Sequence, residues 1–198
     1  MTSGILLSGG IDSIALAWWK RPDIAFTIDY GQLAARTEVT AAAEVSRELG
    51  MRHEVVRVDC SSIGSGDMAG SAPDPLAPVT EWWPYRNQIL VTLAAARGLV
   101  FGIRRLIVGT VATDDSHADG TSAFYAALDV LMRLQEGNVA IEAPAIGMST
   151  VELVRRSCVP REVLAWAHSC HTGPLACGGC RGCIKHYQTM GELYGEAY

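Results

Sequence analysis

Ser8-Gly9-Gly10-Ile11-Asp12-Ser13 stands between a short apolar run, Ser3 to Leu7, and a helical pattern that begins at once. Two hydroxyls, two glycines and a carboxylate at a strand-to-helix junction are the residue types that grip a pyrophosphate. Gly9 and Gly10 can take backbone angles closed to other residues, and their missing side chains let an anion approach the amides. A helix capped by Asp12 or Ser13 aims its unpaired N–H groups and the positive end of its dipole at the same point. Ser8 and Ser13 can donate further hydrogen bonds, and Asp12 can hold a magnesium ion carried by the nucleotide. An ordinary Gly-Gly turn is the plain alternative. No lysine follows the last glycine, so the Walker pattern is excluded, and the dinucleotide fingerprint G-x-G-x-x-G is absent.

Near the other end, Cys170, Cys177, Cys180 and Cys183 fall within fourteen positions. Two overlapping C-x-x-C steps with glycine between them let the backbone fold around one ion, and Cys170 reaches in from upstream to close a tetrahedron. Such a site leaves zinc no open position for water, so the ion is expected to be structural. Its binding free energy, on the order of 10 kcal/mol, would fold the tail. Disulfides and an iron–sulfur cluster are the competing readings, and reduced cytosolic thiols weigh against the first. His168, His171 and His186 read as neighbours of the site. Cys60 and Cys158 read as ordinary small side chains.

The elements that must position these groups follow from period. Ser3 to Leu7 reads as a buried strand, Asp12 to Lys20 as a helix, and Asp23 to Ile28 as a strand. Arg36 to Leu49 reads as a helix closed by Gly50, and His53 to Val58 as a third strand. Residues 60–80 have no period and are crowded with Ser, Gly, Ala and Pro, which marks a long surface loop or lid. Arg86 to Gly102 reads as a long, largely buried helix and Arg105 to Gly109 as a core strand. After a polar stretch, Ala123 to Gln135 is helical, Val139 to Ala143 a short strand, and Thr150 to Arg156 and Arg161 to Ala167 two short helices before the cysteine tail. This alternation predicts an α/β fold with a doubly wound, mostly parallel sheet and a C-terminal zinc-binding helical tail.

With 198 residues, 49% of them hydrophobic and 19% charged, the chain suits one compact domain. No apolar run approaches the roughly 20 residues that span a bilayer, and the chain opens on its loop rather than on a leader. A cytoplasmic location is expected. The formal net charge of −5 without a Lys/Arg cluster argues against nucleic acid as a partner.

The Ser-Gly-Gly-x-Asp-Ser loop resembles that of the PP-loop ATP pyrophosphatases, which split ATP between its α and β phosphates and let a nucleophile displace AMP. Between that loop and Cys-x6-Cys-x2-Cys-x2-Cys lie Asp29-Tyr30-Gly31-Gln32, Trp83-Pro84-Tyr85-Arg86-Asn87 and Val108-Gly109-Thr110-Val111-Ala112-Thr113-Asp114. In that order they resemble the 7-cyano-7-deazaguanine synthase (QueC) family through most of its length. The resemblance implies an adenine nucleotide alpha hydrolase-like fold, a single domain over 1–198 with a zinc-binding subregion at 168–198, and a homodimer. It implies that ATP adenylates the carboxylate of 7-carboxy-7-deazaguanine, that ammonia displaces AMP, and that a second adenylation gives the nitrile.

The same resemblance implies that ATP and Mg2+ are held by Leu7, Ser8, Gly9, Gly10, Ile11, Asp12, Ser13, Asp29, Tyr30, Gly31, Gln32, Arg86, Asn87 and Gly109. Ser8, Asp12, Ser13 and Arg86 would share in the chemistry, Tyr85, Asp114, Asp119 and Phe124 would meet the substrate, and the four cysteines would take zinc. Taken singly, the residues keep plainer readings. Arg86 could be a surface charge, Asp29 a turn cap, Asp114 and Asp119 solvated loop acids, and Tyr85, Trp82, Trp83 and Phe124 core aromatics rather than stacking partners for a base.

Two segments depart from the family. Asp119-Gly120-Thr121-Ser122-Ala123-Phe124 keeps only the ends of Asp-Cys-Arg-Pro-Glu-Phe, and Ser149-Thr150-Val151-Glu152-Leu153 loses the lysine of Thr-Lys-Ala-Glu-Ile. Adenylation survives these changes more readily than the choice of substrate or amine. QueC-like proteins of anti-phage clusters, where the implied acceptor is a protein amine, are the alternative. A nucleotide-binding homologue without catalysis and a tRNA-thiolating or redox protein complete the set.

Overall fold

The computed structural model describes residues 2–114 and 117–195. Five strands form one parallel sheet: β1 (Ser3–Leu6), β2 (Ile24–Asp29), β3 (Arg52–Arg57), β4 (Arg105–Ile107) and β5 (Ala140–Glu142), in the order β3-β2-β1-β4-β5. Parallel neighbours need crossovers, and the helices α1 (Ile11–Lys20), α2 (Ala35–Leu49), α3 (Arg86–Gly98) and α4 (Ser122–Arg133) supply them. Three more follow: α5 (Thr150–Ser157), the one-turn α6 (Arg161–Leu164) and α7 (Arg181–Tyr194). The doubly wound α/β fold expected from the alternating pattern is present.

Strand alternation sorts the core into two layers. Ile5, Leu7 and Ala25 face one side of the sheet, with Ile14 and Leu16 of α1, Val45 of α2 and Leu153 of α5. Phe26, Ile28 and Leu106 face the other, with Val91 and Ala94 of α3 and Leu128 of α4. Each fully buried Val, Leu, Ile or Phe among them stabilises the fold by about 1.5–3 kcal/mol. The chain winds outward from β1 in one direction through β2 and β3 and in the other through β4 and β5, so a crevice opens where β1 and β4 end.

Several boundaries differ from expectation. The helix read over Arg86 to Gly102 ends as an α-helix at Gly98, tightens into a 3₁₀ turn over Leu99–Phe101 and stops at Gly102 with φ of 69°. It buries one face only, and Val100 is exposed. The aperiodic stretch from 60 to 80 is not wholly superficial. Met68 is buried in the second core layer, together with Trp83 just beyond the stretch, and Trp83 meets Tyr30 edge to face at 4.9 Å.

Candidate functional site

The phosphate loop lies at the mouth of the crevice. Gly9 has φ of 78°, the left-handed region, whereas Gly10 is extended. Gly10, not Asp12 or Ser13, is the N-cap of α1, and no side chain caps the helix. The correction favours the chemistry, because the first N–H groups of α1 are left for an anion. Ser13 Oγ donates to the Gly10 carbonyl at 3.0 Å and lies 3.2 Å from Ser8 Oγ, so the two hydroxyls flank the bend. A Cβ on Gly109 would sit 3.2 Å from Ser13 Cα. The bare backbone there lets the end of β4 press against the first turn of α1.

A cavity of about 760 Å³ opens from the loop and is lined by Ser8, Gly10, Asp12 and Ser13, among others. Its volume falls within the range of small-molecule sites. Asp12 is held from an unexpected quarter. Lys185 on α7 donates to Asp12 Oδ2 at 2.9 Å and to Asp114 Oδ1 at 3.2 Å. Burial raises the Asp12 pKa and nearby Asp114 adds to the rise, while Lys185 and, more weakly, the neighbouring Thr150 hydroxyl oppose it; the two oxygens are not within hydrogen-bond geometry of each other. Burial works against the Lys185 ammonium, but the two carboxylates outweigh it and its pKa is raised. Asp12 Oδ1 is buried with no hydrogen-bond partner among the described residues. A hard divalent cation fits that free carboxylate oxygen beside the loop.

Arg86, half-buried at the first position of α3, lines the same cavity between Tyr30 and Met68, with its Nη1 2.9 Å from Met68 Sδ. Near it, Glu38 of α2 accepts from Gln32 Nε2 at 2.7 Å, and burial pushes its carboxyl up to about 6 against the pull of Gln32 and Arg86. Within the Asp29 to Gln32 segment, only Tyr30 lines the cavity. Asp29 Oδ1 accepts from the Gly31 N–H at 3.4 Å, which is the turn-capping role, and Gln32 is buried, with its Oε1 accepting from the Tyr30 N–H.

The expected substrate side is rearranged. Tyr85 is 75% exposed, with φ of 55°, and turns away from the cavity. Asp119 Oδ2 accepts the Asn87 N–H at 3.1 Å, and its carbonyl accepts from Asn87 Nδ2 at 2.9 Å, so it caps α3 instead of facing a base. Phe124 packs edge-on against Tyr125 at 5.2 Å, and Tyr125 takes its place on the cavity wall, its hydroxyl accepting from Thr110. Asp114 does line the cavity, but it is tied to Lys185 and to the Val111 N–H. At the place of the lost lysine stands Thr150, buried on the cavity wall, while Ser149 and Glu152 form a capping box for α5; a cation reaches the cavity instead from α7 as Lys185.

The sulfurs of Cys170, Cys177, Cys180 and Cys183 lie within 4.8 Å of one another. Thiolates about 2.3 Å from a common tetrahedral centre are spaced in this way, so the residues fit zinc. The Cys180, Cys183 and His171 N–H groups donate to the Cys177 and Cys180 sulfurs at 3.3–3.4 Å. Burial pushes the Cys183 thiol up to about 12, so it needs a cation to surrender its proton. Cys180 is also the N-cap of α7, accepting from the Cys183 N–H. The cluster thereby sets the start of the helix that carries Lys185. His168 links this tail to the loop through its N–H, which donates to the Gly9 carbonyl at 2.9 Å.

Charged or titratable cavity residues without a sequence signal include Glu38, Glu81, His117, Arg181 and Lys185. They come from separate parts of the chain, and no spacing rule joins Glu38, Glu81 and His117 to the rest. A pattern reader could have flagged Lys185 only as a cation two positions beyond the last cysteine of the cluster.

A family model described as queuosine biosynthesis protein QueC matches residues 3–193. The chain is 30% identical over 198 residues to the 7-cyano-7-deazaguanine synthase of Chromobacterium violaceum, covering 90% of this chain and 84% of that protein. It is 32% identical over 207 residues to the 7-cyano-7-deazaguanine synthase of Desulforudis audaxviator, covering 91% and 92%. Among solved structures, the NMN synthetase from Francisella tularensis is similar at 17% identity and a TM-score of 0.46, over 87% of this chain and 68% of that one. No helix among the described residues is long and apolar enough to cross a membrane. Since the match runs unbroken through the phosphate loop and the thiolate cluster alike, the chain belongs to the QueC family of queuosine biosynthesis proteins.

Proposed function

We propose that the protein uses ATP to activate the carboxylate of 7-carboxy-7-deazaguanine and aminates it to 7-cyano-7-deazaguanine. The names of its relatives support the product, and the loop supports the route. The observation that carries the reading is the uncapped start of α1 with the unpartnered Asp12 oxygen beside it. In the first step a carboxylate oxygen attacks the α-phosphorus, the bond to the bridging β-oxygen breaks, and pyrophosphate leaves. Ammonia then attacks the acyl carbon, AMP departs with the C–O electron pair, and the nitrogen loses a proton to give the amide. A second ATP adenylates the amide oxygen. Loss of AMP and of both nitrogen protons leaves the nitrile.

Two anions meet in the first step, so the site must supply charge where charge accumulates. The N–H groups of α1 and the hydroxyls of Ser8 and Ser13 would hold the phosphates, and Lys185 and Arg86 would supply the cations. Asp12 would hold magnesium, which when bound neutralises phosphate charge. Zinc at the four cysteines has no part in the steps and would fix the register of α7.

Pyrophosphate release from ATP, measured with and without 7-carboxy-7-deazaguanine and ammonia, tests the reading, with mass spectrometry of the product. Release that depends on the acid, with a nitrile formed, is expected. ATP turnover indifferent to the acid, or release of phosphate instead of pyrophosphate, refutes it.

A further inference from the structure

One helical turn along α7 from Lys185, the same cavity holds a second polar cluster that the activation chemistry leaves unused. Glu81 lines it and is 5% exposed. Its Oε1 lies 2.9 Å from Arg181 Nη1 and 3.7 Å from His117 Nε2. Its Oε2 is buried with no hydrogen-bond partner among the described residues, and so is Nδ1 of His171, another residue of the cavity wall. Burial would raise the Glu81 carboxyl, but His117, Arg181 and His171 outweigh it and hold it at about 2, so it is an anion at any working pH. Buried polar atoms are almost always satisfied, and this pair, set apart from the Asp12 and Thr150 oxygens near the loop, points to a ligand with complementary atoms.

The other carboxylates of the cavity have other tasks. Asp12 and Asp114 share Lys185, with the free Asp12 oxygen at the phosphate loop, Glu38 accepts from Gln32, and Glu192 is an exposed side chain beside Arg155. Asp119, the other acid expected to read a base, caps α3. Glu81 is left with an anionic oxygen to offer. Ionised carboxylates accept bidentate pairs of N–H donors, and a ring N–H beside an exocyclic amino group is such a pair. Helix geometry sets the spacing: Arg181 and Lys185 are four residues apart, so their positions differ by about 6 Å along the axis. A bicyclic base bridges that interval with its carboxylate at the Asp12 end and its amino edge at the Glu81 end.

We propose that Glu81 is the specificity residue that reads the N–H and amino edge of a 2-aminopurine-like base, with His171 Nδ1 meeting a neighbouring polar atom of the ring. The proposal rests on the functional reading above and adds to it the group that selects the base. A site built around a carboxylate for two donors rejects an analogue that lacks one of them, because the buried acceptor is left unpaired.

Isothermal titration calorimetry of the zinc-loaded protein with a non-hydrolysable ATP analogue tests this. The probes are 7-carboxy-7-deazaguanine and the same acid without its 2-amino group. Wild-type protein is expected to bind the amino compound at least about 100-fold more tightly. In Glu81→Gln the ratio falls below about tenfold, with ATP-analogue affinity unchanged. Equal binding of the two acids by wild-type protein overturns the proposal while leaving the functional reading intact, and it needs no variant to fold. Binding of neither acid overturns the functional reading and the proposal together. A Glu81→Gln protein that loses affinity for both acids equally assigns Glu81 to tying residue 81 to α7, which also overturns the proposal.

Discussion

Replacing Lys185 by Met removes the ammonium and keeps most of the packing. Its Nζ lies 2.9 Å from Asp12 and 3.2 Å from Asp114, so the variant leaves two carboxylates facing each other without a cation. A hydrogen bond to a charged group contributes about 1.5–3 kcal/mol. The Lys185 side chain is 37% exposed, as is that of Asp114, and solvent screening brings the pair of bonds down to roughly 2 kcal/mol of folding stability. For a chain of this length that is a drop of about 4–8 °C in melting temperature. The effect on chemistry is larger if Lys185 meets the phosphates. Losing one such donor costs about 10²–10³ in kcat, or roughly 3–4 kcal/mol. Initial rates of pyrophosphate release, read beside melting curves by differential scanning fluorimetry, separate the two effects. Lys185→Arg keeps the charge on a different geometry and is expected to restore stability more fully than rate. A Lys185→Met enzyme that melts lower yet turns over within threefold of wild type would falsify the catalytic role and leave only a strap between α7 and the loop.

Gly9→Ala places a Cβ at a φ of 78°, 2.9 Å from both Ala41 Cβ and the Glu38 carbonyl. Strain of about 1–2 kcal/mol plus the clash should distort the bend, so calorimetry should show at least a tenfold loss of ATP affinity; unchanged affinity contradicts the loop assignment. Cys180→Ser removes a thiolate and the cap of α7 together, and elemental analysis should show zinc falling from one per chain to none, with pyrophosphate release lost alongside. Retention of full activity by the zinc-free protein counts against the coupling of cluster and loop. Glu38 has a folded pKa of about 6 against an ordinary 4.5, so the folded state binds more protons than the unfolded state between those values. Its contribution to stability is therefore present below about 4.5 and lost as pH rises through 6; urea titrations across that window should show the decline, and Glu38→Gln should flatten it.

The parts of this molecule that sequence reveals are those whose geometry is local. Ser8 to Ser13 sit on adjacent residues of one strand, turn and helix, so types and spacing suffice to place them. Four cysteines within a short glycine-rich stretch can reach one centre by backbone turns alone. The substrate wall is different. The segment of Asp119 suggests a partner for a base, but the N-terminus of α3 has N–H groups to satisfy, and Asp119 meets that demand through Asn87. Tyr85 and Phe124 are diverted in the same way, one to a left-handed turn at the edge and one to a contact with Tyr125. Glu81 and Lys185 carry no signal because their meaning is tertiary. One leaves an aperiodic stretch and the other follows the cysteine cluster, and they share a cavity only after the fold has formed.

That dependence gives the cysteine cluster its consequence for function. Cys180 would be a zinc ligand and is the N-cap of α7, and its sulfur accepts from the Cys183 N–H one turn on. With a metal bound, ion, cap and helix start would form one unit, and the free energy of binding would go into the register of α7. The register in turn decides where Arg181 and Lys185 stand, at Glu81 and at Asp12. A slip of one residue rotates α7 by about 100°, enough to withdraw both cations from the cavity at once. A closed zinc site with no water position would in this way govern a reaction it never touches.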